Sequence, residues 1–305
     1  MIENSKSIDR VANAILVVGM LFVLLPIYIV IITATHSYET FLREGLQYLP
    51  GSELVSNMRL VMSETNLVPQ IGNSIIIALM SAAGKTAFSF LAAFGIVYFR
   101  VRYGTIIFFM ILMSTMVPLD LRIVASYEVA SNILSPVNVL MDWVGVNYLI
   151  SHYYGSPLHL ELSLLDTYFG MAAPILASGT GTFLFRQSFK TIPPSLIHAA
   201  TLDGAGPIRF MVDILLPLSK TSIISLFVLM FMGGWNQYMW PLVVASRPDM
   251  ETALVGLVKL STVVDGATPN YPMIMAGAIL VNIIPILMIA VMQKYIVKGL
   301  TLSEK

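Results

Sequence analysis

Long apolar runs alternate with short polar ones along the 305 residues. Residues 12–34 form an apolar run of about 23 residues, which as a helix rises roughly 35 Å, enough to cross the hydrocarbon of a bilayer. Further apolar runs occupy 74–98, 105–117, 168–185, 221–244 and 271–292. The first is longer than the apolar part of a signal peptide and others follow it, so it reads as a retained span. The pattern predicts an all-α, polytopic membrane protein with six transmembrane helices. Its parts are 1–34 (N-terminal end and first span), an external loop at 35–73, a five-helix core at 74–293, and a tail at 294–305.

The stretches between the runs differ in kind. The segment 36–73 carries Glu39, Arg43, Glu44, Glu53, Arg59 and Glu64 and predicts a solvent-exposed loop with some helix of its own. The segment 125–166 mixes apolar patches with Asp142, Trp143, His152, Tyr153, Tyr154 and Glu161. Its central part, about 14 residues at 137–150, holds Asp142 and Asn147, which favours an interfacial or surface helix over a crossing. The run 168–185 contains Gly170, Ala172, Ala173, Ala177, Gly179 and Gly181, small residues that let helix backbones approach closely, so it is expected inside the bundle. Near the end of 221–244, Trp235, Tyr238 and Trp240 suit an interfacial aromatic belt. Asn236 and Gln237, less at home in lipid, are candidates for lining a path.

Composition narrows the class. Hydrophobic residues make up 57% and charged residues 11% of the chain, whereas a soluble domain is about 25% charged. The formal net charge is zero, so no basic field argues for nucleic acid. Cysteine is absent, which removes disulfides and thiolate metal sites. With both termini cytoplasmic, eleven lysines and arginines fall in inside segments (Lys6, Arg10, Arg100, Arg102, Arg186, Lys190, Arg209, Lys220, Lys294, Lys298, Lys305) and five outside (Arg43, Arg59, Arg122, Arg247, Lys259). That asymmetry fits the positive-inside rule.

Lys85 is the single charge within any predicted span, and Ser81, Lys85 and Ser89, four apart, form a polar stripe on one helix face. An unpaired ammonium in hydrocarbon costs about 3 kcal/mol, so the stripe is expected to face the bundle or a water-filled path. A purely structural lysine, snorkelling or bonded to a carbonyl, is the alternative. Gly84-Lys85-Thr86 is not a phosphate-binding loop, because Leu79 stands where that loop needs glycine. None of the four histidines has metal-ligand spacing or stands beside a nucleophile motif, and no predicted span contains a carboxylate of the kind ion-coupled carriers use. If the chain moves a solute uphill, the energy comes from another subunit.

One polar interruption, 187–220, stands out on the cytoplasmic side. Pro193-Pro194 suits a helix start, Gly204 or Gly206 a left-handed end, Pro207 a second start and Pro217 its limit. Leu196, Ile197, Ala199 and Ala200 are expected to be exposed on the first helix, which would then need a groove to fill. The spacing His198-Ala199-Ala200, Gly204, Ile214, Leu216-Pro217 resembles the cytoplasmic loop signature of permease subunits of ATP-binding-cassette importers. His198 stands where glutamate is usual. Thr182–Gln187, Asp203-Gly204-Ala205, Leu216–Lys220 and Gly234–Leu242 are similar to the carbohydrate-uptake branch of that family.

The resemblance implies a type I importer permease fold in a bacterial cytoplasmic membrane, with a coupling helix between spans four and five. His198, Ala199, Ala200 and Gly204 would form that helix and its turn against an ATPase, while Asp203, Ile214, Leu216 and Pro217 hold the loop's shape. The implied partners are a homologous second permease, two cassette ATPase subunits, a periplasmic or lipid-anchored solute-binding protein and membrane lipids. The chain itself carries no cofactor, ATP and Mg²⁺ belonging to the partner subunits. The implied cargo is sn-glycerol 3-phosphate or a related phosphodiester, with a neutral oligosaccharide or polyol as the alternative. From a different class, a polytopic scaffold or enzyme stays open. The segment 125–166 is longer than this branch leads one to expect, which predicts an added external element touching the binding protein.

Overall fold

A computed structural model describes residues 6–99, 101–262 and 268–301, so Arg100 and Lys305 of the charge pattern lie outside the described residues. In chain order the helices are α1 (Lys6–Ala34), α2 (Tyr38–Glu44), α3 (Leu54–Glu64), α4 (Leu67–Tyr98) and α5 (Gly104–Met116). Then come α6 (Ile123–Ser131), α7 (Ser135–Trp143), α8 (Val146–Tyr154), α9 (Tyr168–Ala172), α10 (Gly179–Lys190), α11 (Pro194–Leu202) and α12 (Pro207–Phe210). The last are α13 (Leu216–Leu218), α14 (Lys220–Trp235), α15 (Met239–Val244), α16 (Ala253–Leu260) and α17 (Tyr271–Thr301).

Among the described residues, three helical stretches are long and apolar enough to cross a membrane: Ile8–Ala34, Leu67–Tyr98 and Tyr271–Tyr295. Two bent pairs, Gly104–Met116 with Asp120–Ser131 and Pro207–Leu218 with Lys220–Trp235, meet the same criterion only when each is joined. The six predicted runs therefore do not appear as six continuous helices. The run 168–185 is divided into α9, a 3₁₀ turn at Ala173–Ile175 and α10. Pro174 brings no N–H to continue the helix, and the side chain of Ser178 caps α10 by accepting from the Gly181 N–H at 3.1 Å. The run 221–244 breaks between Trp235 and Met239, because Pro241 could not donate to the Gln237 carbonyl in an unbroken helix.

The chain divides into two units. In the first, Met1–Val68 with Gly256–Ile284, the Asn57 side-chain amide donates to the Ala34 and His36 carbonyls at 2.9 and 2.8 Å and so satisfies the end of α1. Only 6% of the apolar window in α1 is buried within the chain, so this helix presents its surface to lipid or to another subunit.

In the second unit, Pro69–Val255 with Pro285–Lys305, glycines set the spacing between helices. A Cβ on Gly181 of α10 would run into Ser89 Oγ of α4, and one on Gly234 of α14 would run into Ser81 Oγ. A Cβ on Gly179 would lie 3.1 Å from Leu112 Cα of α5. Small residues thus bring α4, α5, α10 and α14 together, as their density in the sequence predicts. Helix α4 starts seven residues before the predicted span because its polar first turns have partners. The Gln70 side chain donates to Glu251 at 3.0 Å, that of Asn73 to the Asp249 and Glu251 carbonyls at 2.8 and 2.9 Å, and Ser74 Oγ accepts from the Ala253 N–H at 2.9 Å.

Two apolar cores form in this unit. One surrounds Trp240 with Ile77, Ala130, Met171 and Val244. Trp240 is fully buried and its Nε1 donates to the Met171 carbonyl at 3.1 Å and to that of Gly170 at 3.3 Å. The Gly170 carbonyl is free to accept because Pro174, four residues on, has no N–H for it. Trp235 is also buried, stacked on Phe231 with centroids 5.9 Å apart. Both tryptophans are core residues and not the interfacial belt their position in the sequence predicts. The second core joins Phe90, Phe185, Phe189 and Phe210, with edge-on ring contacts at 5.3 Å for Phe90–Phe185 and 5.1 Å for Phe90–Phe189.

Candidate coupling surface and path

Helix α11 starts where its prolines require it. Pro193 is the extended cap and Pro194 the first helical residue, which has no N–H to leave unsatisfied. The other end is closed by two reverse bonds, Gly204 N–H to the Thr201 carbonyl at 3.1 Å and Ala205 N–H to the Ala200 carbonyl at 2.9 Å. This is a Schellman closure, and it needs a left-handed residue at Gly204, where φ is +72°. Of the two glycines the sequence leaves open, Gly204 ends the helix. Gly206 is extended at φ −74° and ψ 170° and caps α12, whose first residue is Pro207. Before Pro217 the helix widens, Leu216 N–H reaching the Met211 carbonyl in a π turn, and the chain then bends by 76° into α14.

The faces of α11 differ from the expected ones. Ile197 and Ala200 turn inward onto the aromatic core, with Ala200 buried among Phe94, Phe189 and Phe210. Ala205 and Ile214 pack on the same cluster, and Tyr98 meets Phe210 with centroids 5.2 Å apart. Leu196 and Ala199 are exposed as expected, and His198, Asp203, Leu216 and Pro217 are exposed with them. The large apolar side chains of this segment that project furthest are Leu202, 88% exposed, and Ile208, 73%, neither of which belongs to the loop signature. Burying such a side chain in a partner's groove is worth about 1.5–3 kcal/mol. Helical spacing puts Leu202 on the opposite side of α11 from the i,i+3 neighbours Ile197 and Ala200, without saying which side is buried.

The predicted path residues fall into two groups. Ser81 and Ser89 are fully buried against Gly234 and Gly181, with Ser81 Oγ donating to the Ala78 carbonyl and Ser89 Oγ to the Ser178 carbonyl, both at 3.1 Å. Their hydroxyls are occupied in helix packing. Lys85 lies between them on the same face, half-buried, and makes no ion pair among the described residues. Asn236 is exposed in the break after α14, and Gln237 turns back to donate to the Gly233 carbonyl at 3.3 Å.

A further cleft, of about 540 Å³, opens between α10 and the start of α14. Gln187, Ser188 and Thr191 line one wall, Ser219, Ser222 and Ser225 the other. Ser188 and Ser222 are 3.1 Å apart, and the buried Ser219 hydroxyl has no partner among the described residues. Thr191 and Ser219 flank the candidate coupling segment on either side, so the cleft sits at its base. The sequence hint was the i,i+3 run Ser219, Ser222, Ser225 at the head of an apolar helix.

The arrangement is a helical body carrying an exposed helix–turn–helix segment, and comparison with known proteins identifies its class. Residues 85–302 match the family described as binding-protein-dependent transport system inner membrane component, and the chain belongs to that family. It is therefore a permease subunit of an ATP-binding-cassette importer, a multi-pass protein of the inner membrane and not an enzyme. More particularly, it is 38% identical to the sn-glycerol-3-phosphate transport system permease protein UgpE of Agrobacterium fabrum, the match covering 100% of both chains. It is 38% identical to UgpE of Brucella melitensis and 36% identical to that of Pectobacterium atrosepticum, again over 100% of both chains. Among solved structures it resembles a bacterial ABC transporter that imports the acidic polysaccharide alginate, with TM-score 0.72 and 20% identity over 97% of this chain and 99% of that one. A complex of an alginate transporter with its pentasaccharide-bound periplasmic protein gives TM-score 0.63 at 17% identity, over 94% and 93%. These likenesses carry the fold.

Proposed function

We propose that this chain forms half of the translocation path of an importer for sn-glycerol 3-phosphate or related phosphodiesters. The observation that carries the cargo is full-length similarity to relatives bearing that name, 38% identical over 100% of both chains. A second permease forms the other half, two ATPase subunits drive it, and a solute-binding protein delivers cargo from outside. Both termini are cytoplasmic, in keeping with eleven lysines and arginines on that side against five.

Coupling runs through the segment from Pro194 to Leu218. An ATPase groove receives Leu202 and Ile208 with the exposed His198 and Ala199, while Ala200, Ile214 and the Gly204 turn seat the segment on the aromatic core. Asp203, Leu216 and Pro217 fix its entry and exit. With histidine at 198, no fixed negative charge from that position contributes to the contact.

Lys85 is the cation that favours an anionic cargo. It is the one charge in the apolar core of α4, and it has no carboxylate partner among the described residues. Asn236, in the break after α14, lines the path further along. The test is uptake of labelled sn-glycerol 3-phosphate by cells expressing the complete transporter, in competition with unlabelled phosphodiesters and with neutral oligosaccharides. Competition by phosphodiesters alone supports the cargo, and competition by neutral sugars alone refutes it.

A further inference from the structure

Helices α7 and α8 are built inside out. The one buried residue of each is an asparagine, Asn138 in α7 and Asn147 in α8. Asn138 donates to the Leu160 carbonyl at 2.8 Å and accepts from the Leu160 N–H at 2.9 Å. Asn132 does the same with the Leu160 carbonyl at 3.0 Å and the Leu162 N–H at 3.2 Å. The Asn147 amide donates to Asp142 at 2.5 Å. The Asn132 and Asn138 bonds clamp the returning chain onto α6 and α7, while Asn147 Oδ1 is buried without a partner among the described residues. What remains faces outward: Leu140, Trp143, Tyr148, Leu149, Tyr153 and Tyr154, with Trp143 at 84% and Tyr154 at 83% exposure.

An apolar surface of this kind is a contact surface, and its chemistry selects the partner. No lysine or arginine occurs between Arg122 and Arg186, and the one carboxylate from Ser135 to Leu158 is the Asp142 already bonded to Asn147. A protein-docking patch has a polar rim around its apolar centre, whereas from Ser135 to Leu158 the only carboxylate or imidazole side chains are Asp142 and His152. Tryptophan and tyrosine with apolar bodies and hydrogen-bonding tips are the residues that settle between lipid carbonyls and water. Each helix has 9 residues and rises about 13.5 Å, too little to cross the hydrocarbon but enough to lie along its edge. The exposed apolar surface is also continuous along the chain with that of the bent pair leading into it, through Met113, Met116, Leu121 and Val124.

We propose that the α7–α8 hairpin lies in the interface of the bilayer, with Trp143, Tyr148, Tyr153 and Tyr154 at headgroup depth, as a lipid anchor for the segment following α6. The anchoring is aromatic and apolar, and so independent of anionic lipid. This proposal rests on the chain being a membrane permease and not on its cargo.

Tryptophan fluorescence tests it directly. Trp235 and Trp240 are 5% and 0% exposed, so Trp143 is the one surface tryptophan of the chain. The difference between wild type and Trp143→Phe, in the transporter reconstituted in uncharged phosphatidylcholine nanodiscs, isolates its emission. The expected difference spectrum is blue-shifted, quenched at least twofold by lipid brominated near the carbonyls, and little affected by aqueous iodide. Quenching by iodide with none from bromolipid overturns the proposal. If added solute-binding protein then removes the iodide quenching, the surface docks a protein instead. Tyr154→Trp in the Trp143→Phe background supplies a second reporter should Trp143→Phe assemble poorly, and the same two outcomes decide it.

Discussion

The Ala205 N–H reaches back to the Ala200 carbonyl at 2.9 Å, and this bond joins the two halves of the proposed coupling segment. It forms only when Gly204, between them, adopts its positive φ. Ala200 and Ala205 lie on the same aromatic core, so the closure also seats α11 on the body of the protein. Gly204→Asp puts a Cβ into the left-handed region and is expected to cost about 1 kcal/mol locally and to reduce co-purification of the ATPase subunits. Gly204→Asn, which tolerates that region better, should retain more of the association. Equal association for wild type and Gly204→Asp would show that the turn does not position the contact.

Ala200 and Leu202 separate packing from contact. Ala200 is buried and Leu202 projects, although only one residue divides them. Ala200→Glu is expected to lower thermal stability by several degrees because it drives a charge into an aromatic core. Leu202→Ala should leave the melting temperature within a degree and weaken ATPase association by about tenfold. A thermal melt run beside a pull-down distinguishes the two, and a large stability loss from Leu202→Ala would contradict its exposed placement.

Gly234 and Ser81 form a contact that admits no added carbon. Gly234→Ala is expected to destabilise the chain by about 1–3 kcal/mol through overpacking. Ser81→Ala in the same chain should recover part of that loss by removing the Oγ that the new methyl meets. Denaturation of the four variants in detergent checks this, and strictly additive effects would argue against direct contact.

Lys85→Met tests the charge in α4. The expected outcome is folded, assembled transporter whose phosphodiester uptake falls by tenfold or more, with Lys85→Arg intermediate. Wild-type uptake by Lys85→Met would make the lysine structural.

The apolar periodicity disclosed the long helices α1, α4 and α17, and the loop spacing the polar segment and its glycine turn. They did not disclose which face of α11 is buried. In a 9-residue helix with apolar residues on two sides, Ile197, Ala200 and Leu202 are equally plausible core residues until Phe210 and Phe94 close over one side. The tryptophans misled for a related reason. A tryptophan near the end of an apolar run reads as interfacial, and what makes Trp240 a core residue is a free carbonyl at Gly170, 70 residues earlier in the chain. The glycines and Pro174 in 168–185 did hint that this run would break, although its hydrophobicity alone suggested one span. The path is least legible, because Ser81 and Ser89 share a helix face with Lys85 yet spend their hydroxyls on packing.

Contact between Leu202 and the ATPase is the central expectation, and because the chain has no cysteine that contact is directly measurable. Leu202→Cys and Trp143→Cys, each labelled with a photoactivatable benzophenone maleimide in the assembled transporter, give two cross-linking positions of similar exposure. The expected result is a cross-link to the ATPase subunit from position 202 that depends on nucleotide state, and none from position 143. No ATPase adduct from position 202 in any nucleotide state, or an equal yield from both positions, would contradict it.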